Sequence, residues 1–341
     1  MKRACVFVVA TCLLPLTSCQ QGAKRGAEPG SRPTLHPVLV NGEVGFINGH
    51  GKQVIKPRFD QASLFREGLS SVSKDGRWGY VGRDGKVTIP LRFSYAMPFR
   101  EGQAFVKMER KWGAIDKSGR MTIPAMFDHV IEGFAEGLAS VQRGEKYGYV
   151  NKKGQWVIAA QFDYAAPFSE GLAVVRIGRL WGHIDKSGGF VGGNLVYAHV
   201  RPLREGLAAV RIGKQMGYVD KTGRLVIRPL FSKGYDFSSG LARVRLRPGA
   251  GKYGYIRKDG RLVIRYQFDG CGDFSEGLAW VRIGGRCGYI DKQGKLVVPA
   301  RFDWARDFTG GLAAVGLGSE VTNPRLGYID RTGEYVWKPV R

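Results

Sequence analysis

The chain has 341 residues, 43% of them hydrophobic, enough to bury a substantial core. Length alone suggests two or three domains, a division that the internal repeat described below excludes. Lys and Arg number 53 against 29 Asp and Glu, a net charge of +24 spread along the chain, so the surface attracts anions at long range.

The first element is a targeting segment. Lys2 and Arg3 give a positive start, and Ala4 to Leu16 form an apolar run of about 13 residues, too short to span a bilayer. The run ends in Leu16-Thr17-Ser18-Cys19, which resembles the lipobox of bacterial lipoproteins. The resemblance implies that residues 1–18 are a signal peptide and that Cys19 is the acylated first residue of the mature chain. Gln20 at the next position favours the outer membrane by analogy with enterobacterial sorting. The alternative is an ordinary secretory signal with a chance cysteine, and either version exports the protein. Residues 19–37 carry almost nothing apolar beyond the lipid-bearing cysteine and read as a flexible tether. Cys5 and Cys12 leave with the signal, so Cys271 and Cys287 are the cysteines of the folded body, paired as a disulfide or present as two buried thiols.

From Val38 to Arg341 the chain is a tandem repeat. A glycine behind a large apolar residue recurs at Trp78-Gly79, Trp112-Gly113, Tyr147-Gly148, Trp181-Gly182, Met216-Gly217, Tyr253-Gly254, Cys287-Gly288 and Leu326-Gly327, with Val44-Gly45 as a weaker first copy, at spacings of 34 to 39 residues. Glu-Gly-Leu recurs from Glu67 to Glu276, and a Phe after a β-branched run recurs from Phe59 to Phe302. Three markers in fixed order define nine repeats. Each reads as a three-stranded meander: in Leu207 to Arg228, Val210 and Ile212 lie on one face of a first strand and Arg211 on the other, Tyr218-Val219-Asp220 forms a second and Leu225-Val226-Ile227 a third. The turn between the second and third strands opens with Asp or Asn in seven repeats and carries Gly three residues on, as a type I turn with a glycine exit requires. Those aspartates are therefore turn residues before they are catalytic ones. The Trp of Trp-Gly exchanges with Tyr, Met, Cys and Leu, which share volume but not a stacking face, so a core ladder is expected there. A second apolar ladder runs from Phe65 to Phe308, with Leu203 in the fifth repeat.

The segment Leu278 to Phe308, with Trp-Gly-Tyr-Ile-Asp-Lys-x-Gly, Ile-x-Pro-x-Phe-Asp and Phe-x-Glu-Gly-Leu-Ala-x-Val as its pattern apart from Cys287, resembles the WG-repeat proteins of bacteria, also called KWG repeats. The resemblance covers 38–341 and implies a β-hairpin scaffold with roles in binding or envelope biology and no catalytic residues to carry over. An all-β tandem array is expected, an open curved solenoid in preference to a closed propeller, because the chain starts and ends on a whole meander.

Departures from the repeat mark candidate sites. Two first hairpin tips are lengthened, around Arg247 to Gly251 and Gly318 to Arg325, which makes Arg247, Lys252, Asn323 and Arg325 candidate binding-loop residues; tips are also where insertions cost least. The fifth repeat replaces its Ile-x-Pro-x-Phe-Asp segment with Gly188 to Leu195, and the third gains a residue near Glu132-Gly133, expected to form a bulge. A basic column follows the recurrent valine at Lys107, Arg176, Arg211, Arg245 and Arg282, a candidate anion-binding stripe unless it is a solvated face balanced by the Glu-Gly-Leu glutamates. Five histidines form no pair at metal-ligand spacing, and no nucleophile elbow, phosphate loop or zinc-protease motif is present. The sequence thus leads to a lipid-anchored, non-catalytic envelope scaffold without cofactor or metal, binding an envelope protein or an anionic polymer. A glycan-binding or glycan-acting protein is the alternative, and export removes most nucleic-acid targets.

Overall fold

The computed structural model describes residues 34–193, 196–246, 251–318 and 325–339. Every regular element among them is a β-strand, and all strand pairs are antiparallel, so the expected all-β array of meanders is what the chain forms. Each sheet is a separate open ladder and none closes into a barrel. The chain divides into two compact bodies, Met1–Pro167 and Phe168–Arg341.

The second repeat shows the pattern. Gln61–Ala62, Leu69–Lys74, Arg77–Gly82 and Val87–Phe93 pair in chain order as a four-stranded sheet. The meander seen in the sequence supplies the last three strands, and the two-residue first strand is an addition to it. The Trp-Gly and Ile-x-Pro motifs turn out to be the two halves of one contact. Between the pairs Trp78↔Phe93 and Tyr80↔Ile89 the third strand carries two extra residues and bulges. Its backbone then crosses over Gly79, where a Cβ would stand 2.5 Å from the Ile89 carbonyl oxygen and 2.7 Å from that of Pro90. The same crossing recurs at Gly45, Gly113, Gly148, Gly217, Gly254 and Gly288.

The apolar ladders pack as expected. Trp78, Trp112, Met216, Cys287 and Leu326 are buried while Tyr147, Trp181 and Tyr253 are half-buried, and every recurrent Phe from Phe59 to Phe302 is buried. The Tyr after Trp-Gly forms a further core column that joins neighbouring repeats. The hydroxyls of Tyr80, Tyr149, Tyr218, Tyr255 and Tyr289 each donate to a carbonyl 17 residues on, at 2.6 to 2.9 Å. The second ladder meets these rings edge-on, as in Tyr80–Phe99 at 4.8 Å and Tyr289–Phe308 at 4.9 Å.

Three irregularities differ from or refine the sequence expectation. The extra residue of the third repeat forms a bend over 131–133 rather than a bulge in the ladder, because Glu132 is drawn out to an ion pair with Arg100 at 3.1 Å. In the fifth repeat the third strand is reduced to the single bridges Ile184↔Phe190 and Trp181↔Tyr197, with Asn194 and Leu195 outside the described residues. Leu225–Ser238 runs unbroken as 14 residues and fuses the sixth and seventh repeats into one seven-stranded sheet. Cys271 and Cys287 are two buried thiols not joined in a disulfide, and burial pushes the Cys271 thiol up to about 12.

Candidate functional site

Three polar columns run through the repeats, and the structure separates those that hold the fold together from the one that does not. The turn residues belong to the first kind. Asn48, Asp116, Asn151, Asp185, Asp220, Asp291 and Asp330 each accept from the backbone amides two and four residues on. The Thr222 hydroxyl and two backbone amides hold the Asp220 carboxyl down at about 2.

The glutamates of Glu-Gly-Leu have a different role from the one the sequence suggested. Arg66–Leu69 is a two-residue hairpin turn closed by reciprocal backbone bonds of 2.8 and 3.0 Å, with Glu67 at φ 50° and Gly68 at φ 89°. A glutamate in the left-handed region is disfavoured by about 1 kcal/mol or more, yet Glu101, Glu136, Glu170, Glu205 and Glu276 share it. The carboxylate explains the choice, because it reaches the amides of the next such turn. Glu67 accepts from Gly102 and Glu101 from Gly137, each with one contact at 3.0 Å. Glu170 accepts from Glu205 and Gly206, Glu205 from Ser239 and Gly240, and Glu276 from Gly310 and Gly311, with one oxygen per amide at 2.6 to 2.9 Å. Charge-assisted bonds of this kind are roughly twice as strong as neutral ones. Lys117, Lys152 and Lys258 complete three of these rungs by pairing with Glu67, Glu101 and Glu205.

The basic column therefore is not balanced by the glutamates. Lys107, Arg176, Arg211, Arg245 and Arg282 are all half-buried and stand directly across the first hairpin from the Trp-Gly residue: Lys107↔Trp112, Arg176↔Trp181, Arg211↔Met216, Arg245↔Tyr253 and Arg282↔Cys287. The guanidinium of Arg176 lies 5.4 Å from the Trp181 ring centre and that of Arg245 5.8 Å from Tyr253, which uses the ring face without neutralising the charge. Among the described residues none of the five is in an ion pair with a carboxylate. Arg176, Arg211, Arg245 and Arg282 occupy equivalent positions in four successive repeats of the second body. Lys107 belongs to the first body, where Ser73 and Gln142 take the equivalent places.

Around Lys107 the row opens into a groove of about 440 Å³, lined by Ser94, Tyr95, Lys107, Glu109, Trp112 and His129 among others. Trp112 is 7% exposed and its indole N–H meets no acceptor among the described residues. Burial and the Lys107 charge hold the His129 imidazole below its usual range, with the Tyr147 hydroxyl 3.1 Å from its Nδ1. Of the candidate loop residues, only Lys252 has a described side chain. Lys252 pairs with Asp269, repeating the Lys111–Asp128 and Lys146–Asp163 contacts of other repeats. Arg325 opens the strand Arg325–Ile329 opposite Leu317, while Arg247, Asn323 and Cys19 lie outside the described residues.

Sequence reasoning missed a buried ion cluster in the second body. Arg201 grips Asp236 with both a 2.6 and a 3.2 Å bond, Arg243 bonds Asp273 at 2.9 Å and the Cys271 carbonyl at 2.5 Å, and the Arg243 guanidinium lies 3.8 Å over the Tyr235 ring. Its signal in the sequence was Asp236 and Asp273 standing before the ladder Phe where Pro98, Pro167 and Pro202 stand in other repeats.

Comparison with known proteins recovers the same Trp-Gly repeat. The profile of the WG containing repeat matches residues 45–78, 78–112, 112–147, 147–181, 216–247, 253–287 and 288–319, more than half of the chain. The chain belongs to the WG-containing repeat family. The degraded fifth repeat and the last fall outside those matches. No curated protein sequence matches the chain. Among solved structures, this WG-repeat chain is similar to one described as the crystal structure of the eukaryotic initiation factor, with a TM-score of 0.65 and 10% identity over 89% of this chain and 95% of that one. At that identity the likeness is one of fold alone. Kluyveromyces lactis Hsv2p (TM-score 0.41, 11% identity, 65% and 89% coverage) and apo AztD from Citrobacter koseri (TM-score 0.35, 13% identity, 89% and 92% coverage) are more distant and bear on neither fold nor function.

Proposed function

We propose that this WG-repeat protein is a non-catalytic binding scaffold that holds an anionic polymer along Arg176, Arg211, Arg245 and Arg282. The observation that carries this reading is the contrast between the columns: the turn aspartates and the Glu-Gly glutamates are consumed by the fold, whereas among the described residues four register-equivalent arginines form no ion pair with a carboxylate. A partner protein with an acidic face would use the same row. The N-terminal sequence supports export and anchoring through an acylated Cys19, which would keep the scaffold at the cell envelope and in the outer membrane.

Binding of the mature protein to polyglutamate or to lipopolysaccharide, measured against salt, tests the reading. Changing the four arginines to Gln is expected to lower affinity by tenfold or more, about 1.4 kcal/mol or above, and to flatten the salt dependence. Changing the exposed Lys52, Lys86, Lys153 and Lys295 to Gln removes the same charge from other positions. An equal loss in this second variant would assign the binding to net charge and overturn the column. Metabolic labelling with palmitate tests the anchor, and label retained by Cys19→Ala contradicts it.

A further inference from the structure

Among the described residues of the second body the Glu-Gly ladder breaks once. Five turns receive a carboxylate from the preceding turn of the same kind, three of them on both amides and two on the glycine amide alone. The turn Ser275–Leu278 keeps the same closure, with Glu276 at φ 52° and Gly277 at φ 86°, so its two amides point outward as in the others. The residue that would fill it is Ser239, which occupies the glutamate position of the preceding turn. A serine side chain is too short to cross, and the Ser239 hydroxyl is instead within 3.3 Å of the Phe274 carbonyl. Among the described residues no acceptor meets the amides of Glu276 or Gly277, and Glu276 is exposed.

Two cations stand beside this turn. Lys292 holds the place in its repeat that Lys117, Lys152 and Lys258 hold in theirs, where those lysines pair with the incoming glutamate. Lys292 has no ion-pair partner among the described residues. From the next repeat, the Arg331 guanidinium comes within 3.2 Å of the position of a Cβ on Gly277.

We infer that the Glu276–Gly277 turn is a docking site for a carboxylate brought by another polypeptide, an aspartate or glutamate side chain presented as Glu205 presents its own to Ser239 and Gly240. Two diverging N–H groups with one cation beside them match the two oxygens of a planar carboxylate, and the filled copies show that pairing realised at 2.6 to 2.9 Å. The site does not depend on the arginine column, since none of those arginines contributes to it.

The test is a titration of the isotope-labelled mature protein with the peptide acetyl-Gly-Glu-Gly-amide, followed at the amide resonances of Glu276 and Gly277. Saturable shifts are expected at these two amides and not at the filled Gly240 and Gly311. The Gln counterpart of the peptide is expected to bind at least tenfold more weakly. Ser239→Glu supplies the missing side chain from within, so it should move both resonances without ligand, abolish the peptide response and raise the thermal midpoint. Lys292→Gln should weaken the peptide tenfold or less while leaving the fold unchanged. Absence of a saturable shift, an equal response to the Gln peptide, or an unchanged response in Ser239→Glu overturns the site, and an equal response to inorganic phosphate overturns its assignment to carboxylates. The four-arginine variant should respond like the parent protein, so failure of the proposed function and failure of this site are separately visible.

Discussion

Gly79 and Gly102 make opposite demands, and replacing each by Ala measures them separately. At Gly79 a Cβ would lie 2.5, 2.7 and 2.8 Å from the Ile89 oxygen, the Pro90 oxygen and the Leu91 nitrogen, all backbone atoms. No rotamer change relieves such contacts, so the bulged strand must retreat by about 0.5 to 1 Å from the position that sets Trp78 against Phe93. Overpacking of that sort costs about 1–3 kcal/mol and occasionally more, and with three backbone clashes the upper end, about 3 kcal/mol, is expected. Gly102 has φ 85° but nothing within 4 Å of its Cβ position, so Gly102→Ala costs only the left-handed backbone, about 1 kcal/mol. Urea unfolding of the full mature chain followed by tryptophan fluorescence reads both, with the m-value checked because repeat arrays need not unfold in one step. A loss at Gly102 equal to that at Gly79, or a Gly79→Ala variant within about 0.5 kcal/mol of the parent, would show that the crossing strand is not what fixes the glycine.

Tyr149→Phe should cost about 1–3 kcal/mol, because it leaves the buried Ala166 carbonyl without its 2.6 Å donor; equilibrium denaturation decides, and a neutral effect refutes the staple between repeats. Asp273→Leu strands the Arg243 charge and should lose about 3–5 kcal/mol, most of it recovered in Arg243→Met/Asp273→Leu. A double variant no better than the single one contradicts that account. The carboxyls of Asp116, Asp128, Asp185, Asp220 and Asp269 all sit below their unfolded range of about 4, held there by Ser118, Lys111, Ser187, Thr222 and Lys252 respectively. Their contribution is complete above the unfolded value and is lost as pH falls through the folded one. The unfolding midpoint should therefore hold from pH 7 to about 5 and drop between about 4 and 2, and a midpoint that rises over that interval refutes the contribution of these five carboxylates.

What could be read from the sequence was whatever recurs within one hairpin. Alternation in Leu207 to Arg228 gives the meander, and the Asp-to-Gly spacing gives its turn, since both ends of the contact lie within a few residues. The Trp-Gly exchange pattern identified a core ladder for the same local reason. Two-residue strands such as Gln61–Ala62 are too short to show a period. The partner of Glu170 lies 35 residues away on backbone atoms, which leave no trace in side-chain identity, so the glutamates looked like charge balance for the arginines. Arg201 and Asp236 likewise occupy different repeats at unlike positions, and only the fold brings them together. The basic column was visible as a column, whereas its cross-strand seat beside the Trp-Gly residue required the register.

Each repeat borrows its finish from the one after it: Tyr218 is capped by Tyr235, and Glu205 is spent on Gly240. The stretch of chain that folds as a piece is consequently offset from the stretch that is copied in the sequence. A duplicated segment of about 35 residues would arrive carrying both a donor side chain for its successor and a receptor turn for its predecessor, so an array of this kind can lengthen at an interior position without inventing a new contact. Shortening is as simple, whereas a change confined to one rung, as at Ser239, leaves its mark on the neighbour instead of on itself.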